Sequence, residues 1–378
     1  MSKIVVLGAG RVGAVIAADL CAYAKVTVAD SNPAALAQAK ARCDGKAKIR
    51  RADLSNPRTV RTLAEAHDLV VGALPSRLGF QALRAVLEAG RSCVDISFMP
   101  QDARELDGLA RENNATALID LGVAPGMSHL LAAEGVKRLS SAERVRILVG
   151  GVPRHPKPPF LFKAAFAPGD VIEEYTRPAR LVEGGKVVER PALSRVETVE
   201  LPEVGRMEGG LTDGLRSLVS TLHVPEMDEL TLRWPGHYDL MRGFQAAGLF
   251  SSETIDVGGV KVRPIDVATA LLVPAWTYAE GEEDLTVMRV EVAGKDAQGK
   301  ARSLTWDLVD HYEAATGTSS MARTTAFPCA IAARLLAEGT LRAPGVHPPE
   351  DLAALPGVLE HLLAEHARRG VTYRAEAR

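Results

Sequence analysis

The sequence predicts an α/β protein. A Rossmann-type, doubly wound parallel sheet comes first, and an α+β domain with a mixed or antiparallel sheet follows. Three observations predict this. A strand pattern runs directly into Gly8-Ala9-Gly10-Arg11-Val12-Gly13 at the start of the chain. Strand and helix patterns then alternate as far as residue 120. Beyond residue 150 the pattern changes to short alternating strands joined by turn sequences.

Lys3-Ile4-Val5-Val6-Leu7 is apolar almost throughout, as a strand covered on both faces must be. The glycines follow, and Ala14–Leu20 has helical composition. Lys25–Asp30 is a second strand, and it ends in an acid about 20 residues after Gly8. A G-x-G-x-x-G motif in that context is a dinucleotide-binding fingerprint. Gly8 permits the tight turn, Gly10 lets the backbone approach a pyrophosphate, and Gly13 lets the helix lie close to the strand. The helix start, with Arg11 and Val12, presents N–H groups and positive dipole charge to phosphates. Asp30 is placed to accept hydrogen bonds from ribose hydroxyls. Its charge disfavours a 2′-phosphate, and Ser31, Asn32 and Pro33 bring no arginine to hold one. NAD is therefore the expected cofactor.

Lys48–Asp53 reads as a third strand, with Asp53 either near the adenine or opening the turn Asp53–Pro57. Asp68–Pro75, Arg91–Ser97 and Thr116–Asp120 are the fourth, fifth and sixth strands, separated by helices near 59–66, 78–89 and 101–114. Ligands of open α/β sheets bind at the carboxyl edge, which brings Leu74, Pro75, Ser76, Asp95 and Ser97 to the cofactor. Asp95 and Asp120 also suit helix caps.

Leu121–His129 leaves the sheet through a Gly/Pro turn into a helix over 127–138. Strands are predicted at 145–151, 177–182, 186–188, 196–200, 229–233, 286–293 and 302–309. Gly184-Gly185 and Asp296–Gly299 serve as hairpin turns. The stretch 152–170 is proline-rich, 320–339 is a strong helix, and the tail is helix-rich. The expected domains are 1–122 for the dinucleotide, 123–320 for substrate and dimerisation, and 321–378 as a helical segment packing back on the first.

An apolar fraction of 47% and a charged fraction of 24% exclude a disordered chain. The net charge of −2 argues against a nucleic-acid footprint. Cys21, Cys43, Cys93 and Cys329 match no zinc spacing, so neither a metal nor a disulfide framework is expected. No signal peptide and no bilayer-length apolar run is evident, and a soluble cytoplasmic protein is the expectation.

Several polar turn stretches offer substrate contacts: Asp95–Phe98, Glu173-Glu174-Tyr175, Thr212–Arg216, Thr231–Tyr238 and Ser319–Thr325. Each also has an ordinary role. The glutamates suit a solvated face, Arg216 an ion pair, His237 a turn, and Thr324-Thr325 a helix start.

The chain resembles the saccharopine dehydrogenase-like family. The matching segments are Val5–Gly13, Val94–Ser97, Gly122–Gly126, Thr231–His237, Ser320–Thr325 and Gly345–Glu350. Within the family, Gly122–Ser128 and Glu174–Arg180 resemble the lysine 6-dehydrogenase branch, whereas saccharopine reductases tend to carry an Asp-Pro-Gly type sequence near 123–126. The resemblance implies oxidation of L-lysine at its ε-carbon by NAD, giving 2-aminoadipate 6-semialdehyde and ammonia. It also implies a homodimer of two-domain subunits.

Such chemistry needs a base, because an ammonium does not readily release hydride from its carbon. His129 and His237 are candidates by their reference pKa. Glu173, Glu174 or Asp95 are candidates if burial raises theirs. The α-carboxylate calls for a guanidinium, with Arg233 first and then Arg323 and Arg216. Asp213 suits the α-ammonium, and Tyr175 belongs to the same substrate set. Two rival readings remain: a saccharopine or carboxynorspermidine dehydrogenase, and a non-catalytic NAD-binding regulator.

Overall fold

The computed structural model describes residues 1–164 and 168–378, with side chains throughout except at 168–170. Strand β1 (Lys3–Leu7) is buried from Ile4 onward. The chain continues through α1 (Arg11–Leu20), β2 (Lys25–Asp30), α2 (Pro33–Arg42), β3 (Lys48–Arg51), α3 (Pro57–Glu65) and β4 (Leu69–Gly72). It then forms α4 (Ser76–Glu88), β5 (Ser92–Asp95), a 3₁₀ turn at Ala103–Leu106, α5 (Asp107–Glu112), β6 (Thr116–Leu118) and α6 (Met127–Arg138). Apolar faces of α3, α4 and α5 meet Val5, Leu7, Val70 and Cys93 of the strands in one core.

The sequence pattern leaves α2 undescribed. Asn32 forms it by accepting the N–H groups of Ala34 (2.9 Å) and Ala35 (3.3 Å), with Pro33 in the first turn. The third strand stops at Arg51, short of Asp53.

Gly13 lets helix α1 lie against the end of β1, and Gly8 lets that turn lie against the end of β4. A Cβ on Gly13 would sit 2.2 Å from the Gly8 carbonyl oxygen, and one on Gly8 (φ +106°) would sit 2.3 Å from the Ala73 carbonyl oxygen. Both separations are inside van der Waals contact, so no other residue fits without displacing backbone.

The next elements are β7 (Ser141–Pro153), α7 (Pro168–Glu173), β8 (Ala179–Glu183), β9 (Lys186–Arg190), β10 (Val196–Leu201), β11 (Gly205–Leu211), α8 (Leu218–Thr221) and β12 (Glu226–Arg233). They are followed by α9 (His237–Ala246), the hairpin β13 (Ile255–Val257) and β14 (Val260–Val262), α10 (Pro264–Trp276), β15 (Asp284–Lys295) and β16 (Ala301–His311). Residues 165–167 of the proline-rich stretch lie outside the described residues.

Strand β11, helices α9 and α10, and the β13–β14 hairpin have no counterpart in the sequence pattern. In β11, side chains are replaced by close approaches. A Cβ on Gly210 would meet the Tyr238 ring at 2.5 Å. Helix α10 is apolar on its exposed side as well, at Val267 and Leu271, so it shows no two-faced pattern.

The chain ends with α11 (Ser320–Ala337), β17 (Gly345–His347), α12 (Pro349–Ala353), α13 (Val358–Arg368) and β18 (Tyr373–Ala377). The first sheet has seven strands in the order β17-β6-β5-β4-β1-β2-β3 and is parallel throughout. The second sheet has nine strands and the main order β10-β11-β12-β7-β15-β16-β18, with β8 and β9 attached beside β12. Its pairs are antiparallel except β12 with β7.

The chain divides into two units, Met1–Leu131 with Ala322–Val371, and Ala132–Met321 with Thr372–Arg378. The sequence places the first boundary after 122, whereas this division falls inside α6. The sequence also reads 321–378 as one helical segment, whereas its last residues form β18, a strand of the second sheet. Among the described residues, no helix is long and apolar enough to cross a membrane.

In the first unit Arg369 closes α13 against α1. It donates to Asp19 (2.7 and 3.1 Å) and to Glu365 (2.7 Å). Removing it leaves two largely buried carboxylates without this partner. Arg369→Ala should cost about 3 kcal/mol in urea unfolding. Gly13→Ala should cost about 3 kcal/mol by overpacking. Gly10→Ala, where a Cβ meets no atom within 4 Å, should stay within about 1 kcal/mol.

Candidate functional site

In the first unit, the turn from β1 to α1 forms a cradle. Gly8 and Gly13 are closed in by backbone, but a Cβ built on Gly10 has nothing within 4 Å. Gly10 therefore faces open space at the start of α1, and no side chain caps that helix. Arg11 is exposed, Val12 half-buried and Ser31 exposed. The Asp30 carboxylate accepts the N–H of Ala9 (2.7 Å) and of Asn32 (2.8 Å), which ties the end of β2 to the glycine turn. These residues fit a dinucleotide: an open amide-rich helix end for the pyrophosphate and a carboxylate beside it for a ribose.

Strand β3 pairs in parallel with β2, and Arg51 is in register with Asp30. A guanidinium-bearing residue thus stands next to Asp30, although none is close in sequence.

Asp53 accepts the N–H (3.0 Å) and hydroxyl (2.6 Å) of Ser55, and these bonds lower its pKa. It opens a turn, the ordinary role available to it. Leu74 donates its N–H to the Ser97 hydroxyl (3.3 Å), while Pro75 is exposed and Ser76 begins α4 buried.

Asp95 is buried and does not cap a helix. It accepts the Ser97 N–H at 2.6 Å. Its other oxygen lies 1.7 Å from the point a Cβ on Gly72 would occupy. Gly72 therefore leaves the space this carboxyl fills. Burial pushes Asp95 up to about 6, against the hydrogen bonds from Ser97. His129 is fully buried in the first turn of α6, with Nδ1 3.0 Å from the Ser128 hydroxyl. Arg323 also belongs to the first unit, where it donates to the Arg369 carbonyl (2.9 Å).

The second unit holds a buried polar network around the end of β12. Arg233 is 1% exposed and sits 4.5 Å from the Phe162 ring centroid. Its guanidinium pairs with Glu174 and donates to the Leu232 carbonyl (2.9 Å) and the Tyr175 hydroxyl oxygen (3.3 Å). The Tyr175 hydroxyl reaches His237 Nε2 at 2.8 Å, and His237 Nδ1 lies 2.8 Å from the Phe160 carbonyl. The carbonyl can only accept, so Nδ1 carries the proton and Nε2 receives that of Tyr175. Burial, and then Arg233, hold His237 down at about 3. Burial raises Tyr175 to about 12.

This network corrects two expectations. His237 is neutral at pH 7 with its free lone pair engaged by Tyr175, which does not suit a base for an ammonium. Arg233 is already committed to Glu174 and Tyr175 rather than held open for a substrate carboxylate. Asp213 is likewise engaged, by a two-pronged pair with Arg180 (2.8 and 2.9 Å). Glu173 pairs with Arg177 one helical turn away. Arg216 is buried with a left-handed backbone, φ +48°.

Sequence reasoning passes over Glu229. It is 3% exposed on β12, two residues from Thr231 and four from Arg233, so all three share one face. Its carboxyl bonds the Thr212 hydroxyl and the Gly214 N–H (3.1 Å), with the Thr231 hydroxyl at 3.5 Å. Burial pushes it up to about 8. The available signal was two adjacent acids, Asp228 and Glu229, inside a strand buried on both faces.

A cavity of about 300 Å³ borders the network at Phe162, and Lys157, Lys163, Tyr278 and Glu283 also line it.

Comparison with known proteins agrees with this arrangement. Residues 4–118 match the family model for the saccharopine dehydrogenase NADP binding domain, and 122–371 the model for the saccharopine dehydrogenase C-terminal domain. Mitochondrial alpha-aminoadipic semialdehyde synthase of Rattus norvegicus is 23% identical over 376 residues, covering 81% of this chain and 40% of that protein. The chain thus spans less than half of that relative's length. Saccharopine dehydrogenase [NADP(+), L-glutamate-forming] of Schizosaccharomyces pombe is 22% identical, covering 84% of this chain and 86% of that one. Carboxyaminopropylagmatine dehydrogenase of Synechocystis is 24% identical, covering 93% of both. The solved apo saccharopine dehydrogenase (L-Glu forming) of Saccharomyces cerevisiae superposes over the whole of both chains with a TM-score of 0.82 at 18% identity, which establishes the shared fold. The chain belongs to the saccharopine dehydrogenase family.

Proposed function

We propose that this protein is a nicotinamide-dependent oxidoreductase acting on a carbon–nitrogen bond of an amino-acid-derived amine. The observation that carries the reading is the open face over Gly10 at the start of α1, with Asp30 beside it. Gly8, Gly10, Gly13 and Asp30 would hold the dinucleotide. When bound, its nicotinamide exchanges hydride with the carbon next to the substrate nitrogen.

Two substrates divide the reading. A secondary amine that joins two carbon skeletons is supported by the names of relatives matched nearly end to end. Lysine oxidised at its ε-carbon is supported by Gly122–Ser128, which departs from the Asp-Pro-Gly type sequence of saccharopine reductases. In either case the amine nitrogen must lose a proton before hydride leaves the adjoining carbon.

Asp30 supports NAD, through repulsion of a 2′-phosphate. Arg51 supplies a cation to that position and supports NADP as a second cofactor.

A panel of amines with NAD and with NADP, read by NAD(P)H absorbance and ammonia release, tests the substrate. Ammonia from lysine supports ε-oxidation, and an oxo-acid product from saccharopine or a carboxyalkyl polyamine supports the secondary amine. No NAD(P)H from any of these sinks the oxidoreductase reading. Arg51→Ala should weaken NADPH binding about tenfold while NADH binding stays within about twofold, measured by fluorescence titration. Equal losses for both cofactors would remove Arg51 from phosphate recognition.

A further inference from the structure

Of the eleven large apolar side chains exposed among the described residues, six lie between Leu249 and Leu271. That stretch belongs wholly to the second unit. Exposed apolar residues scattered singly are ordinary, but a run of them in one short stretch marks a surface that binds something.

Helix α10 is apolar on two sides. Ala268, Leu272 and Trp276 are buried in the core that also holds Tyr175 and Met241. Val267, Ala270, Leu271 and Pro274 recur at helical spacing on the other side and are exposed, Leu271 by 70%. No charged residue occurs from Val267 to Ala279.

The β13–β14 hairpin leads into this helix. Ile255 stands opposite Val262 and Val257 opposite Val260, so these four share one face. Asp256 and Lys261 pair at 3.5 Å on the other face. Ile255, Val257 and Val260 are exposed. A two-stranded hairpin is marginal in water unless its apolar face packs against something more.

The charges beside the apolar residues point to what covers them. They are Glu253, Asp256 and Asp266 against Lys261 and Arg263. Lys261 holds Asp256, and Arg263 holds Asp266 at 3.0 Å. A membrane surface or a nucleic acid attracts a basic surplus, which this stretch lacks. A strongly charged protein would leave one sign unmatched. A second copy brings the same two signs and the same apolar face, so a two-fold axis can set acid against base and apolar against apolar. The extent also fits. From Leu249 to Pro274 only Phe250, Ala268 and Leu272 are buried, and the other 23 residues compare with the roughly 20–30 a side of a standard interface.

We infer that α10 and the β13–β14 hairpin form a self-complementary surface that binds a second copy of this chain, with α10 of one copy against α10 of the other. Ala270, at the middle of the outward side, lies by the axis, where its small side chain lets the two helices approach. Val267, Ala270 and Leu271 take no part in either candidate site, so this dimer stands apart from the proposed reaction.

Sedimentation equilibrium of the full chain at micromolar concentration should give twice the mass of one chain. Leu271→Glu places a charge in the contact and should raise the dimer Kd about 100-fold or more. Val187→Glu, at an exposed apolar position on β9 outside the stretch, should leave the Kd within about twofold. Ala270→Cys tests the geometry with a side chain close in size to the original. Mild oxidation should join two copies through residue 270, whereas Val187→Cys should not be joined. A chain that stays monomeric at that concentration overturns the inference. So does a dimer that Leu271→Glu leaves as tight as before, or one that Ala270→Cys does not join. A monomer that floats with phosphatidylcholine–phosphatidylserine vesicles would assign the face to a membrane and overturn it equally.

Discussion

The first unit depends on a contact that leaves no room for a methyl group. Helix α1 approaches β1 until the Gly13 α-carbon rests against the Gly8 carbonyl. That approach aims the helix start at the space over Gly10. It also brings the Ala9 N–H onto the Asp30 carboxylate, which fixes the end of β2. The helix dipole, the open amides and the acid are therefore oriented by one steric fact.

The second unit depends on polar groups removed from water. Arg233, Glu174, Tyr175 and His237 form a chain in which each nitrogen of the guanidinium meets an acceptor and the Tyr175 and His237 hydrogens each meet one, as buried charge requires. Asp228 and Glu229 act on stability in opposite directions. The pKa of Asp228 is lowered on folding, so it stabilises above its unfolded pKa and this is lost as pH falls. The pKa of Glu229 is raised from 4.5 to about 8, so its contribution is full below 4.5 and is lost as pH rises through 8. Folding holds a buried acid whose ionisation it opposes, a common property of residues kept for chemistry.

The first unit was legible because its signals are local. Strand, glycines, helix and Asp30 lie within one short stretch, and burial on both faces leaves an unbroken apolar pattern. Arg51 was not legible as a neighbour of Asp30, because parallel pairing joins them across the intervening helix α2. In the second unit Arg233, Glu174, Tyr175 and His237 were all visible as polar residues, but not as one network. They come from separate segments, and their mutual pairing changes what each can do. Glu229 was hidden because a strand buried on both faces has no exposed phase against which an acid stands out. Helix α10 was hidden for a related reason, since its exposed Leu271 erases the polar stripe.

The order of the strands bears on how the chain is made. Strand β17 completes the edge of the first sheet beside β6, yet it comes from residues 345–347. A ribosome moving from the amino end therefore produces the whole of β7 through β16 while the β6 edge still has unpaired backbone groups. Strand β18 is added to the second sheet beside β16 from residues 373–377. Neither sheet has all its strands until residues 345–347 and 373–377 have been made. Until then β6 and β16 stand as edge strands in their place, and an unpaired edge is the feature most prone to pairing with another chain.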